Sequence, residues 1–168
     1  MLKAGVIGAG HLGRIHLKLL QQSTQYELVG FYDDSNEVAA NIEKEFGYKR
    51  FDTIDDLIKA VEVVDVVTPT NSHHKIAKKV LSAGRHLFIE KPVTSTFLEA
   101  EELISLAKTH KVKGQVGHVE RFNPAFTVVK DKIGTPMFIE EHRLAEFNPR
   151  GTDVPVVLDL MIHDIDVI

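Results

Sequence analysis

The first 33 residues constrain this chain most. A short apolar run, Ala4-Gly5-Val6-Ile7, leads into Gly8-Ala9-Gly10-His11-Leu12-Gly13. An amphipathic stretch from Arg14 to Gln22 follows, then a second apolar run from Glu27 to Tyr32 that ends at Asp33. The order is strand, glycine turn, helix, strand, acid. Asp33 stands twenty residues after Gly13, the spacing at which an acid meets a ribose hydroxyl in a dinucleotide-binding unit. Gly8 permits the tight turn, Gly10 lets a pyrophosphate approach the backbone, and Gly13 lets the helix pack close to the strand. The helix N-terminus, from His11 and Leu12 onward, offers free N–H groups and a positive dipole end to phosphates. A carboxylate accepts from a ribose 2′-hydroxyl and repels a 2′-phosphate, so Asp33 favours NAD over NADP. Asp34 follows it, with no Arg or Lys beside it in sequence. The competing reading is that Asp33 caps the next helix, which could equally start at Asp34 or Ser35.

Bulk composition narrows the class further. At 168 residues the chain is long enough to bury a core, and a net charge of −4 with no basic stripe argues against a nucleic-acid surface. There is no cysteine, which excludes a disulfide framework and a thiolate metal site. The N-terminus enters a strand directly, without a charged and then apolar leader, and no apolar run approaches membrane-spanning length. A reducing cytoplasm is the expected location.

Strand and helix patterns continue to alternate after Asp33. Helices are expected over 37–46, 55–61, 73–82 (capped by Asn71 or Ser72) and 94–110 (capped by Ser95 or Thr96). Strands are expected over 63–67, 86–89 and 112–116. This alternation predicts an α/β fold, a Rossmann-type doubly wound parallel sheet, with ligands outside the carboxyl ends of the strands. Thr68 to Asn71, Glu90 to Pro92 and Gly117 to Phe122 all lie at such ends, so they are expected to share one site. After about Val119 the pattern changes: a helix over 123–133, a charged strand over 137–144 and an apolar helix over 156–168. That last helix stops without a cap, a glycine or a polar tail. The expectation is a nucleotide domain over 1–119, followed over 120–168 by the beginning of a second α/β domain, truncated.

Glu90-Lys91-Pro92 follows a strand, so Lys91 is expected at the sheet edge beside a nicotinamide; alone, the triplet reads rather as a surface charge pair before a turn-forming proline. Taken with Thr68-Pro69-Thr70-Asn71-Ser72-His73, Gly84-Arg85-His86 and Asp159-Leu160-Met161-Ile162-His163, with Asp166 three residues on, it resembles the signature of the Gfo/Idh/MocA oxidoreductases. The resemblance covers essentially the whole chain. It implies a Rossmann domain followed by an open-sheet α/β domain that binds substrate and often mediates homo-oligomerisation. It implies NAD-dependent chemistry at a hydroxyl carbon of sugars, inositols or sugar nucleotides. It maps the catalytic lysine to Lys91 and the catalytic aspartate and histidine to Asp159 and His163. The cofactor set then comprises Gly8, Gly10, His11, Leu12, Gly13, Asp33, Thr68, Pro69, Thr70, His73, Glu90 and Lys91. Met161 departs from the glycine of the family pattern.

The residues support those roles physically. Asp159 and His163, four apart, share a face on a helix. A histidine takes a hydroxyl proton near neutral pH, and a lysine stabilises developing alkoxide charge. The bland alternative for His163 is a helix-surface side chain. A hard-ligand metal set of Asp159, His163, Asp164 and Asp166 is disfavoured because Asp164 and Asp166 point away from the Asp159–His163 face, so no metal is assigned. Val116 to Pro124 resembles a segment of the subgroup acting on UDP-N-acetylglucosamine and related nucleotide sugars. Arg121 is the candidate partner for an anionic group of that small-molecule substrate, alongside His163, with Arg143 and Arg150 of lower rank. A salt bridge inside the domain boundary is the competing role for Arg121. Other sugar or inositol dehydrogenases on the same scaffold are the first alternative, and a non-catalytic NAD-binding sensor the second.

Overall fold

A computed structural model describes residues 1–144 and 154–168. Five parallel strands, β1 (Leu2–Ile7), β2 (Tyr26–Tyr32), β3 (Val63–Val66), β4 (His86–Ile89) and β5 (Gly114–Val116), lie in the order β2-β1-β3-β4-β5. Outside β2, a single parallel bridge from Phe31 to Arg50 marks a sixth, vestigial position. The chain therefore winds outward from β1 in both directions, and the order reverses between β1 and β3. In a doubly wound sheet, ligands bind at that point.

The register aligns the strand ends. Ile7 pairs with Tyr32 on one side and Val66 on the other, Val66 pairs with Ile89, and Ile89 with Val116. One line of backbone thus ends five strands together, and Gly8, Asp33, Val67, Glu90 and Gly117 are the first residues beyond it.

Successive side chains of a strand point to opposite faces, and the two cores follow that alternation. Val6 packs with Leu17, Phe31, Ala39 and Ile42. Ile7, with Val64, Val66, Leu87 and Ile89, packs against Leu57, Ile76, Val80 and Leu103 on the other face. The first core is covered by α1 (His11–Gln22) and α2 (Asn36–Phe46), the second by α3 (Ile54–Ala60), α4 (Thr70–Ser82) and α5 (Phe97–His110). Short polar residues begin three of these helices: the Ser35, Thr53 and Thr96 side chains accept from the N–H three residues on. Glu99 completes a capping box with Thr96. The cap of the second helix is therefore Ser35, not Asp33.

Several expected boundaries shift. The α4 helix starts at Thr70 behind Pro69, whose φ of −58° suits a helix entry, so neither Asn71 nor Ser72 is the cap. The Ser72 hydroxyl instead closes the loop onto Thr68 and Pro69. The expected helix over 123–133 divides into α6 (Pro124–Val129) and a 3₁₀ turn at Lys130–Lys132. Residues 137–144 form no strand among the described residues: their alternation finds no neighbouring strand to pair with. The C-terminal segment is a wide π turn (Val157–Met161) running into α7 (Ile162–Val167), rather than one regular helix. No helix of the described residues is long and apolar enough to cross a membrane.

Candidate active site

The glycine turn is built by contact. Gly8 has φ +95°, and a Cβ there would lie 2.5 Å from the Val67 carbonyl oxygen. A Cβ on Gly13 would collide with the Gly8 carbonyl. Gly10, by contrast, has nothing within 4 Å of its missing side chain. The turn is closed behind and open in front. No side chain caps α1, so the amides at its start remain available to an anion. His11 and Leu12 are exposed at that start.

Asp33 is buried beneath this turn. Its Oδ2 accepts the Ala9 N–H at 2.6 Å and its Oδ1 the Ser35 N–H at 2.9 Å. Each carboxylate oxygen accepts more than one bond, so both retain capacity for a ribose hydroxyl. A cleft of ≈ 520 Å³ runs from Gly8 and Gly10 past Asp33 and Asp34 to Thr68 and Pro69. The chain's linear order hid two cations here: Lys75 and Lys79 of α4 line the same cleft, although neither is near Asp33 in sequence. Lys79 is engaged by Asp55 at 3.0 Å.

A second cleft of ≈ 330 Å³ adjoins it, lined by Leu12, Thr68–Thr70, Glu90–Pro92, Val154 and Asp159. Lys91 enters it from the end of β4. Its Nζ donates to the Asp159 carbonyl oxygen at 2.7 Å and to Asp159 Oδ1 at 3.0 Å. An ammonium has three donors, so one N–H remains for a third acceptor. His163 lies close enough for the Lys91 charge to act on it. Burial first, then the charges of Lys91 and Arg143, hold its imidazole below the ordinary histidine range. Its buried Nδ1 has no hydrogen-bond partner among the described residues. The fold thus joins Lys91 to Asp159 and brings His163 within reach of the Lys91 charge, with Asp159 in the π turn and His163 in α7.

His73 requires a correction. Its ring is 1% exposed, with Nδ1 2.8 Å from the Pro92 carbonyl oxygen and Nε2 2.8 Å from that of Thr68. It ties the Thr68 loop to the Lys91 loop and presents no ring nitrogen to a cofactor. Glu90 is likewise turned inward. Its Oε2 accepts the Lys91 N–H at 3.2 Å, and its Oε1 lies 3.3 Å from His16 Nε2.

Arg121 forms a fork with Asp166: Nε donates to Oδ2 at 2.7 Å and Nη2 to Oδ1. The internal salt bridge weighed against a substrate role is therefore present, while the Arg121 side chain stays 58% exposed. Arg143 pairs with Asp164. Arg150 lies outside the described residues. The cluster that sequence reasoning missed is His16, Asp65 and Glu90. An aspartate inside the β-branched run of β3 was its one available signal.

The geometry fits a dinucleotide: an open glycine face, uncapped amides and a buried carboxylate at the reversal point of the sheet. Comparison with known proteins agrees. The family model for oxidoreductases with an NAD-binding Rossmann fold matches residues 2–118. The UDP-N-acetylglucosamine 3-dehydrogenase of Acidithiobacillus ferrooxidans is 39% identical over 166 residues, covering 98% of this chain and 52% of that protein. Its solved structure superposes with a TM-score of 0.90 at 38% identity, over 99% of this chain and 55% of that one. The scyllo-inositol 2-dehydrogenase (NAD(+)) of Bacillus subtilis is 27% identical, over 99% of this chain and 52% of its own. GenD2 from gentamicin A biosynthesis, solved in complex with NAD, has a TM-score of 0.75 at 27% identity, over 79% of this chain and 39% of that one. The chain spans about half the length of the curated relatives it matches over nearly its whole extent. On the matched Rossmann domain and these relatives, the chain belongs to the Gfo/Idh/MocA family of NAD-binding oxidoreductases.

Proposed function

We propose that this protein moves a hydride between NAD and a secondary alcohol carbon of a sugar or nucleotide sugar, with 3-dehydrogenation of UDP-N-acetylglucosamine as the leading case. The observation that carries the reading is the Lys91 ammonium, fixed by two Asp159 oxygens with one N–H to spare, in the cleft beside the glycine turn. Asp33 and the α1 amides hold the dinucleotide, and the nicotinamide supplies the hydride acceptor when bound. Lys91 donates its remaining N–H to the substrate oxygen and stabilises charge that develops there. His163, kept neutral by burial and its cationic neighbours, accepts the hydroxyl proton as the C–H electron pair leaves as hydride. The alcohol becomes a carbonyl. Asp159 orients and partly neutralises Lys91. We place the boundary of the nucleotide domain near Val119, three residues beyond the end of β5, and assign residues 120–168 to the start of the substrate domain.

The nucleotide-sugar assignment draws on the 39% identical relative, and the scyllo-inositol dehydrogenase supplies the competing polyol. The test is NAD reduction by the whole protein with UDP-N-acetylglucosamine, beside scyllo-inositol and free N-acetylglucosamine. Turnover with the nucleotide sugar alone supports the assignment. Turnover with the inositol alone reassigns the substrate. NADH binding without turnover on any polyol favours a sensor.

A further inference from the structure

Beneath Lys91 lies a cluster that the proposed chemistry does not use. Asp65 sits in the middle of β3, between Val64 and Val66, which point into the opposite core. Its carboxylate therefore faces α1, where His16 Nδ1 meets Oδ2 at 2.8 Å. The other ring nitrogen of His16 lies 3.3 Å from Glu90 Oε1. All three side chains are nearly buried, at 14%, 9% and 9% exposure. Asp65 Oδ1 has no hydrogen-bond partner among the described residues. Burial disfavours every charge here. Burial pushes the Asp65 carboxyl up, and at His16 the hydrogen bonds and charges of Asp65 and Glu90 outweigh burial, so that its pKa is pushed up to about 9.

Such a cluster is a poor device for stability, because apolar residues of the same volume usually stabilise as well or better. Its position suggests what it does. Glu90 Oε2 accepts the N–H of Lys91, and the carboxylate lies over Gly117, where a Cβ would approach Oε1 to 2.6 Å. The Glu90 backbone N–H is held by the Val66 carbonyl, and the Pro92 carbonyl by His73. The peptide of Lys91 is thus clamped on both sides, with His16 acting through Glu90 on one and His73 on the other.

We propose that His16 is a positioning residue for Lys91: bridging Asp65 and Glu90, it fixes the Glu90 carboxylate and hence the origin of the Lys91 side chain. This rests on Lys91 acting on substrate, as proposed above. Loss of the bridge frees Glu90 to rotate toward solvent, and Lys91 loses its register with Asp159.

The test compares wild type with His16→Gln, using competitive acetylation of lysines read by mass spectrometry, NADH titration and steady-state turnover of the whole protein. The expected result is NADH affinity within about twofold, severalfold faster labelling of Lys91 with other lysines unchanged, and kcat lowered about tenfold at similar KM. Unchanged Lys91 labelling, or equal increases at every lysine, overturns the proposal. If His16→Gln fails to bind NADH, Asp65→Val, which removes the other end of the bridge, replaces it under the same criteria, and an unchanged Lys91 rate there also overturns it. Lys91→Ala separates the two ideas. Normal turnover in that variant refutes the role of Lys91 itself, whereas lost turnover beside an unmoved Lys91 in His16→Gln refutes only the positioning.

Discussion

The Gly8 carbonyl oxygen occupies the space that any side chain at Gly13 would need. That contact lets α1 start directly over the end of β1 and aims its free amides at the cleft. Gly10, three residues earlier, faces nothing within 4 Å. The two glycines therefore fail differently. Gly13→Ala is expected to lower stability by about 2 kcal/mol and abolish NADH binding, because the helix must back away from the strand. Gly10→Ala should change stability by less than about 1 kcal/mol yet weaken NADH at least tenfold, because the methyl group fills space kept for phosphate. Thermal melts and NADH fluorescence titrations on the two variants check this.

Asp33, as the proposed ribose-binding acid, is expected to decide between the dinucleotides. Asp33→Asn keeps one acceptor for Ala9 or Ser35 but loses the charge. NADH affinity should fall about tenfold, or about 1.4 kcal/mol, while NADPH gains relative to it. Lys75, already on the wall of the same cleft, would then meet a 2′-phosphate without opposition from Asp33. Parallel titrations with both cofactors give the ratio, and an unchanged ratio would remove Asp33 from the ribose site.

Removing Lys91 should separate chemistry from binding. Lys91→Ala is expected to cost about 10²–10³ in kcat, the usual effect of deleting one donor to a developing oxyanion, with NADH affinity changed less than threefold. Stopped-flow measurement of hydride transfer beside equilibrium titration makes the comparison.

The rate of alcohol oxidation should rise with pH as His163 loses its proton. Because the folded protein holds that imidazole below the ordinary histidine value, the midpoint is expected below about 6.5, with a plateau through neutral pH. Lys91→Gln removes one of the charges that depress it and should move the His163 midpoint upward. NMR titration of its ring protons follows this even where turnover is lost.

His16 carries the opposite sign. Its folded pKa, about 9, lies above the unfolded value, so its contribution to stability is complete below about pH 6.5 and disappears as pH rises through 9. Wild-type protein should lose melting temperature between pH 7 and 9.5, and His16→Gln should show a flatter dependence. A steep loss that persists in the variant would place the titration elsewhere.

Much of this was readable before any coordinates. The glycine turn, the acid at Asp33 and the β-branched runs specify local structure through short-range sterics and side-chain period, and the α/β alternation follows from them. The edge position of Lys91 follows too, since a residue just after a parallel strand must lie at its carboxyl end. The readings that failed lacked such local terms. The alternation over 137–144 describes a strand only if a partner strand exists to receive it, and none does among the described residues. The helix over 156–168 widens into a π turn that its apolar pattern does not encode.

What the sequence by itself determined is the order of elements and the chemistry available at their ends. The tertiary structure decided which of those groups face solvent and which are consumed. It made His73 a strut between two loops, placed Lys75 on the wall of the cleft that holds Asp33, 42 positions away in the chain, and buried His16 between Asp65 of β3 and Glu90 just beyond β4. Hydrogen bonds and charges act over a few ångströms in space, and chain order carries no record of distances that only packing sets.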